Sequence, residues 1–302
     1  MKFPQIGILA KPVRHQVAAT GHIERALARA GYRVRATYDF VATEQVVVCW
    51  GWGKAKEVRL ANPTAIICCL DHGYTLDRKQ HINTGWSLPS MLFGLNGFAE
   101  HPWVEDGGDR LQAKGWDKEL TFPPPRPSYQ PKPRRALVLG QVYGDAMIVD
   151  HVEDYGAWLR NLVTELSDEG WETRFRPHPQ MVARNTVDKY GNLGPQSPGG
   201  ELSDDLRWAD MVAAMNSNGL MQAYMGGLET RAWNKGTMLS PLMVAPGKAI
   251  PTEGKYEWAS RLAYCQWTYD ELEDGTWLKY HEPIMRRLVE GGPAYPWCDH
   301  RI

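Results

Sequence analysis

A proline-dense segment divides this chain into two halves. It runs from Thr121 to Arg135 and reads TFPPPRPSYQPKPRR. Proline has no backbone N–H and fixes its own φ, so such a run forms a semi-rigid extended spacer and not a helix or a central strand. We therefore predict a linker at residues 121–135, between an amino-terminal α/β domain over residues 1–120 and a carboxyl-terminal α/β domain over residues 136–302.

Both halves alternate strand and helix patterns. In the first half, apolar runs predict strands at 6–10, 32–38, 46–50 and 65–70, with helices at 17–30 and 54–61. In the second half, strands are predicted at 136–140, 171–176, 209–215 and near 241–245, with helices at 152–167, 217–226, 255–264 and 282–290. This alternation is typical of parallel sheets covered by helices. The predicted fold class is α/β, with two Rossmann-like domains that face a common cleft.

Composition excludes several classes of function. The formal net charge of -1 and the pI near 6.8 give no general attraction to nucleic acid or to anionic membranes, so any polyanion would need a local basic patch. The five cysteines form no Cys-x-x-Cys pair, which favours reduced thiols in a soluble cytoplasmic protein. No apolar run approaches the length of a membrane span, and no histidine and cysteine spacing indicates a metal site.

Two polar segments follow predicted strands of the second half. Pro177 must end the strand 171–176, which holds His178 at the carboxyl end of that strand. Residues 216–219, Asn-Ser-Asn-Gly, lie between a strand and a helix start, where free N–H groups attract an anion. Together they predict a phosphate site at one edge of the sheet. The alternatives are an ordinary turn histidine and a plain helix cap.

The first half delivers a carboxylate to the end of its fourth predicted strand. Asp71 follows Leu70 directly and lies close to Gly73, which would allow close approach of a substrate. A turn or cap role for Asp71 is the alternative. The irregular region from 83 to 102, which includes Trp86 and Asn96, is of the kind that carries binding residues.

These residues resemble the ordered motifs of a known family. The segments Leu70-Asp-His-Gly-Tyr-x-x-Asp-Arg78, Gln141-x-x-Gly-Asp145, Arg176-Pro-His-Pro179 and Asn216-Ser-Asn-Gly-x-x-x-Ala223 look like motifs of GT-B glycosyltransferases related to capsule polysaccharide (Kdo-transferase) enzymes. The turn at 216–218 departs from that pattern, because it has no clear pair of serines. The first segment, with Gly85-Trp86 and Gly94-Leu-Asn-Gly97, is also similar to compact glycosyltransferases of tailed phages.

The resemblance implies an inverting, metal-independent glycosyl transfer, with a UDP- or CMP-linked sugar as co-substrate and no other cofactor. It assigns Asp71 as the catalytic base, with His72 as a substitute. The residues expected to bind the donor are Gln141, Asp145, Arg176, His178, Asn216, Ser217, Asn218 and Gly219. Those expected to bind the acceptor are Tyr74, Arg78, Trp86 and Asn96.

The acceptor implied by the phage resemblance is a 5-hydroxymethylpyrimidine in double-stranded phage DNA, modified in the host cytoplasm. One alternative keeps the fold and transfers to a capsule or other surface glycan, from CMP-Kdo or a UDP-sugar. Another is a non-catalytic protein that binds nucleotide-sugars. An epimerase of GT-B architecture is a further possibility, which the acidic and histidine positions match less well.

Overall fold

The chain forms two compact units, each built around its own sheet. The computed structural model describes residues 5–37, 43–72, 90–95, 110–120, 134–149 and 151–291. One unit combines residues 1–117 with residues 256–299, and the other contains residues 118–255. Both pair parallel strands with intervening helices, so the predicted α/β class with two Rossmann-like domains is confirmed. The common cleft stays a prediction.

The first unit has a six-stranded sheet in the order β10-β5-β4-β3-β1-β2. Its strands are β1 (Ile6–Leu9), β2 (Val34–Thr37), β3 (Val46–Trp50), β4 (Ile66–His72), β5 (Ser90–Leu95) and β10 (Gln266–Thr268). The first four strands of the chain pair in parallel, whereas β5 runs antiparallel to β4 and to β10. Strands β3 and β4 carry unbroken runs of buried apolar residues, as their lack of alternation indicated.

Helices cover this first sheet. They are α1 (Arg14–Arg29), α2 (Gly51–Ala61), α3 (Arg110–Ala113), α9 (Lys255–Ala263), whose first residue belongs to the second unit, α10 (Tyr269–Asp274) and α11 (Thr276–Val289). Helix α1 places Ala19, Ile23 and Leu27, four residues apart, on one buried face. A capping box between Thr268 and Glu271 begins α10.

The end of the chain belongs to the first unit, which corrects the predicted second domain of residues 136–302. Strand β10 pairs with β5 through Trp267 and Met91, so residues after 255 complete the first sheet. Trp277, Ile284 and Met285 then pack into the same core as the strands, so burial of apolar surface holds this segment there. Sequence patterning predicts helices at 255–264 and 282–290, but neither α10 nor the sheet on which these helices pack. The predicted linker lies outside the described residues up to position 133, and its last two residues begin β6.

The second unit has a four-stranded, fully parallel sheet in the order β7-β6-β8-β9. Its strands are β6 (Arg134–Leu139), β7 (Trp171–Arg176), β8 (Met211–Ala214) and β9 (Glu229–Ala232). Its helices are α4 (Ala146–Val149), α5 (Tyr155–Asp168), α6 (Pro179–Ala183), α7 (Leu202–Trp208) and α8 (Gly219–Met225), and short 3₁₀ helices span Val187–Tyr190 and Ser240–Leu242. The strand predicted near 241–245 is wrong, since the last strand of this sheet is β9.

Two further features concern the cysteines and the helices. Cys49, Cys68, Cys69 and Cys265 are free and buried, as expected for core thiols. Burial raises the pKa of the Cys68 and Cys265 thiols, so neither is set up as a reactive thiolate. Among the described residues, no helix combines the length and the apolar character that crossing a membrane requires.

Candidate functional site

The candidate site lies at the carboxyl edge of the second sheet. Four loops leave this edge, one after each parallel strand, and the residues predicted for donor binding lie on three of them. In an open parallel sheet this edge is where ligands bind, because strand ends and helix starts gather there. The sequence prediction that the segments after β7 and β8 share one edge of the sheet is therefore correct.

Gln141 and Asn216 tie two of these loops together. The Gln141 side-chain amide donates from Nε2 to Asn216 Oδ1, and its Oε1 accepts from the Asn216 backbone N–H at 3.0 Å. Both residues are buried, at 9% and 7% exposure, so their polar groups satisfy one another away from water. Gln141 therefore acts as a clamp between β6 and β8, and its amide is already occupied by Asn216.

His178 caps a helix with one ring nitrogen. Pro177 ends β7, and His178 Nδ1 then accepts a hydrogen bond from Gln180 N at 3.2 Å at the start of α6. A ring nitrogen that accepts carries no proton, so the neutral ring has its proton on Nε2. Burial lowers the pKa of His178, the negative charge of Asp145 raises it, and Arg184 lowers it again. The ring is thus a neutral donor at pH 7.

Asp145 caps the next helix along the chain. Its Oδ1 accepts from Met147 N at 2.8 Å at the start of α4. Its charge also acts on the His178 ring, which places the loop after β6 close to the loop after β7. Asp145 and His178, thirty-three positions apart in the sequence, are therefore neighbours, as their predicted shared site requires.

Residues 217–219 form the turn from β8 into α8. Ser217 Oγ accepts from Gly219 N at 3.2 Å, and Asn218 is exposed and makes no side-chain cap. Gly219 passes close beneath Leu139, since a Cβ there would lie 2.5 Å from Leu139 Cδ1. A larger residue at this position would have to displace the Leu139 side chain, so the glycine of the predicted motif has a packing reason.

Arg176, the last residue of β7, forms an ion pair with a buried carboxylate. Its guanidinium contacts Asp205 Oδ2 at 2.5 Å and donates to Gly200 O at 2.6 Å. Asp205 also pairs with Arg174 at 3.4 Å and accepts from Ser197 Oγ at 2.5 Å. Asp205 is 1% exposed and is neutralised by these arginines, so Arg176 fixes α7 on β7. Its guanidinium is thus engaged in structural contacts, and its donor-binding role stays a prediction.

The fourth loop, after β9, was missed in the sequence because β9 itself was missed. Asn234 Nδ2 donates to Met147 O at 2.9 Å, which ties this loop to the one after β6. A Cβ on Gly236 would lie 2.9 Å from Asn216 Nδ2, so this loop also packs against the Gln141–Asn216 clamp. Lys235 lies between Asn234 and Gly236 in the sequence. Its side chain is exposed and pairs with no acid among the residues the structure describes. Four residues of Glu-Thr-Arg-Ala are too short a pattern to indicate this strand.

In the first unit, Asp71 and His72 lie at the carboxyl end of β4. The strand continues through both residues, which align with Leu92 and Met91 of β5. The sequence predicts a strand that ends at Leu70, whereas the ladder with β5 extends the strand by two residues, through Asp71 and His72. Asp71 is half-buried, and its charge helps to raise the pKa of the Cys69 thiol, after burial and Cys49. Its role as catalytic base stays a prediction. Tyr74, Arg78, Trp86 and Asn96 lie outside the described residues.

The edge of the second sheet thus presents polar groups without a metal centre. Within the described ranges, no group of three or more histidine, cysteine or acidic side chains is arranged to hold a metal ion. The site offers a neutral imidazole N–H, the Ser217 hydroxyl, an exposed lysine and the carboxylate of Asp145. The imidazole N–H, the hydroxyl and the lysine can hold an anion through hydrogen bonds and one positive charge, whereas the Asp145 carboxylate repels it.

The fold defines the class of protein. Two Rossmann-like domains, with the second sheet fully parallel and its polar loops at the carboxyl edge, form an α/β protein of the GT-B class. The chain matches no protein-family model, and no curated protein matches its sequence.

Two solved structures share this fold. The chain is similar to KpsC, beta Kdo 2,4 transferase, of Thermosulfurimonas dismutans, with a TM-score of 0.53 and 15% identity over 88% of this chain and 91% of that one. It is also similar to KpsC, beta Kdo 2,7 transferase, of the same organism, with a TM-score of 0.54 and 14% identity over 90% of this chain and 99% of that one. At this identity the likeness establishes the fold, and it confirms the resemblance to Kdo-transferase-like GT-B enzymes. The resemblance to compact phage enzymes stays a prediction.

Proposed function

We propose that this protein is a glycosyltransferase that binds a nucleotide-sugar donor at the carboxyl edge of its second sheet. The observation that carries the proposal is the His178 ring, whose Nδ1 is occupied by a helix cap and whose Nε2 keeps the proton. A neutral N–H in this position can donate to a phosphate oxygen over the whole physiological pH range. Ser217 and Lys235, on the loops after β8 and β9 at the same edge of the sheet, supply a hydroxyl and a positive charge.

The proposed reaction is a direct displacement at the sugar. The acceptor hydroxyl oxygen forms a bond to the anomeric carbon, and the bond from that carbon to the donor phosphate breaks. The hydroxyl proton passes to a base, for which Asp71 is the candidate, and negative charge grows on the leaving phosphate. His178, Ser217 and Lys235 stabilise that growing charge, which favours the transition state over the bound donor. Inversion at the anomeric carbon and independence of metal are parts of this proposal.

The likeness in fold to two enzymes described as Kdo transferases favours a CMP-linked sugar and a glycan acceptor. A hydroxymethylated pyrimidine in duplex DNA remains the acceptor suggested by the loop after β4, and the net charge of -1 speaks against it. Transfer assays with both acceptors separate the two. Incorporation of labelled sugar into hydroxymethylated duplex DNA, with none into glycan, would reverse this preference.

The donor site is tested with two substitutions of one residue. His178→Asn keeps a helix-capping oxygen but loses the imidazole N–H, whereas His178→Ala loses both. We expect CMP- or UDP-linked sugars to raise the melting temperature of the wild type, because a ligand that binds the folded state stabilises it. We expect the Asn variant to fold as stably as the wild type and to lose most of that shift. An unchanged shift in the Asn variant would exclude His178 from the donor site.

A further inference from the structure

A buried tyrosine joins two of the loops that form the candidate site. Tyr190 ends the 3₁₀ helix Val187–Tyr190, and its side chain is completely buried. Its ring packs edge-on against Phe175, with centroids 5.0 Å apart, beneath the start of the loop after β6. A Cβ on Gly140 would lie 3.2 Å from Tyr190 Cζ, so that loop passes directly over the ring. The ring is therefore fixed in place by its surroundings.

The Tyr190 hydroxyl bonds to both loops. It donates to Gln141 O at 2.6 Å and accepts from His178 N at 3.4 Å. One oxygen thus links the peptide of the Gln141 clamp, after β6, to the peptide of His178, after β7. A second buried tyrosine supports the same clamp, since Tyr155 OH accepts from Gln141 N at 3.1 Å. The Gln141 peptide is consequently held on both its N–H and its C=O side.

Both hydroxyls keep their protons at any physiological pH. Burial raises the pKa of Tyr190 to about 12, although the His178 N–H lowers it somewhat. Burial also raises the pKa of Tyr155. The Tyr190 hydroxyl therefore stays a donor to Gln141 O and an acceptor for His178 N–H. The link between the loops does not depend on a titration.

We propose that Tyr190 is a positioning residue of the donor site, which holds His178 in register with the Gln141–Asn216 clamp through its hydroxyl. The inference rests on the proposed function, because the ligand that benefits is the phosphate of a nucleotide-sugar. A site whose loops are already in place binds its ligand without the entropy cost of ordering them. Removing the hydroxyl should free the two loops from one another and leave each strand intact.

The test compares two conservative variants. Tyr190→Phe removes the hydroxyl that joins the loops. Tyr224→Phe is the matched control, because Tyr224 is equally buried, donates to Pro251 O at the same 2.6 Å and also has its pKa raised to about 12. We expect hydrogen exchange to become faster in both segments 140–145 and 177–181 of Tyr190→Phe, and to stay at the wild-type rate there in Tyr224→Phe.

Binding of CMP and UDP gives the second readout. We expect Tyr190→Phe to weaken the better of the two nucleotides about threefold to tenfold, the effect of one lost hydrogen bond. In the His178→Asn background the same change should have little further effect, because the group that it positions is gone. A merely structural role would weaken binding equally in both backgrounds.

The outcomes separate the inference from the proposed function. Wild-type exchange rates in either segment of Tyr190→Phe would overturn the positioning role, whatever the protein binds. Faster exchange in both segments, with no binding of CMP, UDP or their sugars by the wild type, would support the link between the loops and overturn the donor site. Equal weakening by Tyr190→Phe and Tyr224→Phe would also overturn the positioning role.

Discussion

Gln141 and Asn216, seventy-five positions apart in the sequence, share two hydrogen bonds in the interior of the second unit. One joins the two side-chain amides, and the other joins the Gln141 side chain to the Asn216 backbone. Sequence motifs marked both residues as donor-binding. Their mutual pairing gives them a different immediate role, which is to hold the loops after β6 and β8 at a fixed separation.

Replacing Gln141 with alanine should destabilise the second unit. The change leaves the Asn216 N–H and side-chain oxygen buried without their partner, which costs about 1–3 kcal/mol. Urea denaturation followed by tryptophan fluorescence measures the free energy of unfolding. Asn161→Ala, at an exposed position of α5, is the control and should change that free energy by less than about 0.5 kcal/mol. Equal effects of the two substitutions would contradict the clamp.

Adding one methyl group at Gly236 should be more harmful than adding it at Gly53. A Cβ at Gly236 would lie 2.1 Å from Met147 Cε and 2.9 Å from Asn216 Nδ2, whereas a Cβ at Gly53, in α2, meets nothing within 4 Å. We expect Gly236→Ala to lower the unfolding free energy by about 1–3 kcal/mol through overpacking. Gly53→Ala should raise it by about 0.5–1 kcal/mol through better helix propensity. Chemical denaturation checks both, and a neutral Gly236→Ala would mean that the β9 loop does not pack on the clamp.

Regular elements with a clear period could be predicted from the sequence. Strands β3 and β7 are predicted with their observed ends, and β4 and α5 within a few residues, because buried runs and helical spacing are local properties. Strand β9 could not be found in this way. Its Glu229 and Arg231 face partly outward at the edge of the sheet, and only Thr230 and Ala232 are buried. It forms a strand because β8 offers it a partner, which is a tertiary cause.

The sequence predicts where the candidate site lies, but only partly what each of its residues does. Pro177 fixes where β7 ends, so His178 at the carboxyl edge follows from the sequence. The pairing of Arg176 with Asp205 depends on where α7 packs, and no local pattern gives that. The return of the chain after residue 255 to the first sheet has the same reason, since β10 is held by β5 and by side chains distant in the sequence.

Arg110 should not tolerate replacement by lysine. Its guanidinium donates to both Glu271 oxygens at 2.7 Å and to Gln266 O at 2.7 Å, and it lies 3.9 Å from the centroid of the Trp267 ring. Burial raises the pKa of Glu271, but bonds from Arg110 and Lys114 outweigh burial and hold it at about 2. Lysine has neither the forked N–H donors that reach both carboxylate oxygens nor the planar group that stacks on the indole ring. We therefore expect Arg110→Lys to lower the unfolding free energy of the first unit by about 2 kcal/mol.

The control for Arg110 is an exposed ion pair in the same unit. Arg261 pairs with Glu257, whose side chain is 67% exposed, so Arg261→Lys should change the unfolding free energy by less than about 0.5 kcal/mol. Both variants are compared by chemical denaturation. A similar small effect at both positions would show that the contact of Arg110 with both Glu271 oxygens contributes little to the free energy of unfolding.

His281 should make the first unit sensitive to mild acid. Burial lowers its pKa to about 3 from 6.5, a backbone bond to Tyr264 opposes this, and the charge of Arg110 adds to it. Below pH 6.5 the His281 ring therefore takes up a proton in the unfolded chain, whereas it stays neutral in the folded chain. The contribution of His281 to the free energy of unfolding is complete above pH 6.5. It falls by about 1.4 kcal/mol per pH unit as the pH is lowered towards 3.

The non-titrating variant His281→Gln isolates this contribution to acid sensitivity. Between pH 6.5 and about pH 5, above the range in which the paired carboxylates titrate, its unfolding free energy should fall less steeply with pH than that of the wild type. Among the described residues, His178 also has a lowered pKa, so the pH dependence of the unfolding free energy of His178→Asn serves as the comparison. Parallel slopes for wild type and His281→Gln would remove His281 as the cause.

Lys235 should supply the salt-sensitive part of nucleotide binding. It is exposed, no described acid pairs with it, and its neighbours Asn234 and Gly236 pack against the loops after β6 and β8. We expect Lys235→Ala to weaken binding of CMP or UDP about fivefold at low salt, and less at high salt, because an exposed charge is screened by ions. Isothermal titration at two salt concentrations measures this difference. Arg207→Ala is the control, since Arg207 lies on α7, which leads into the opposite end of β8. A loss at Lys235 that does not change with salt, or an equal loss at Arg207, would show that Lys235 does not meet the phosphate through its charge.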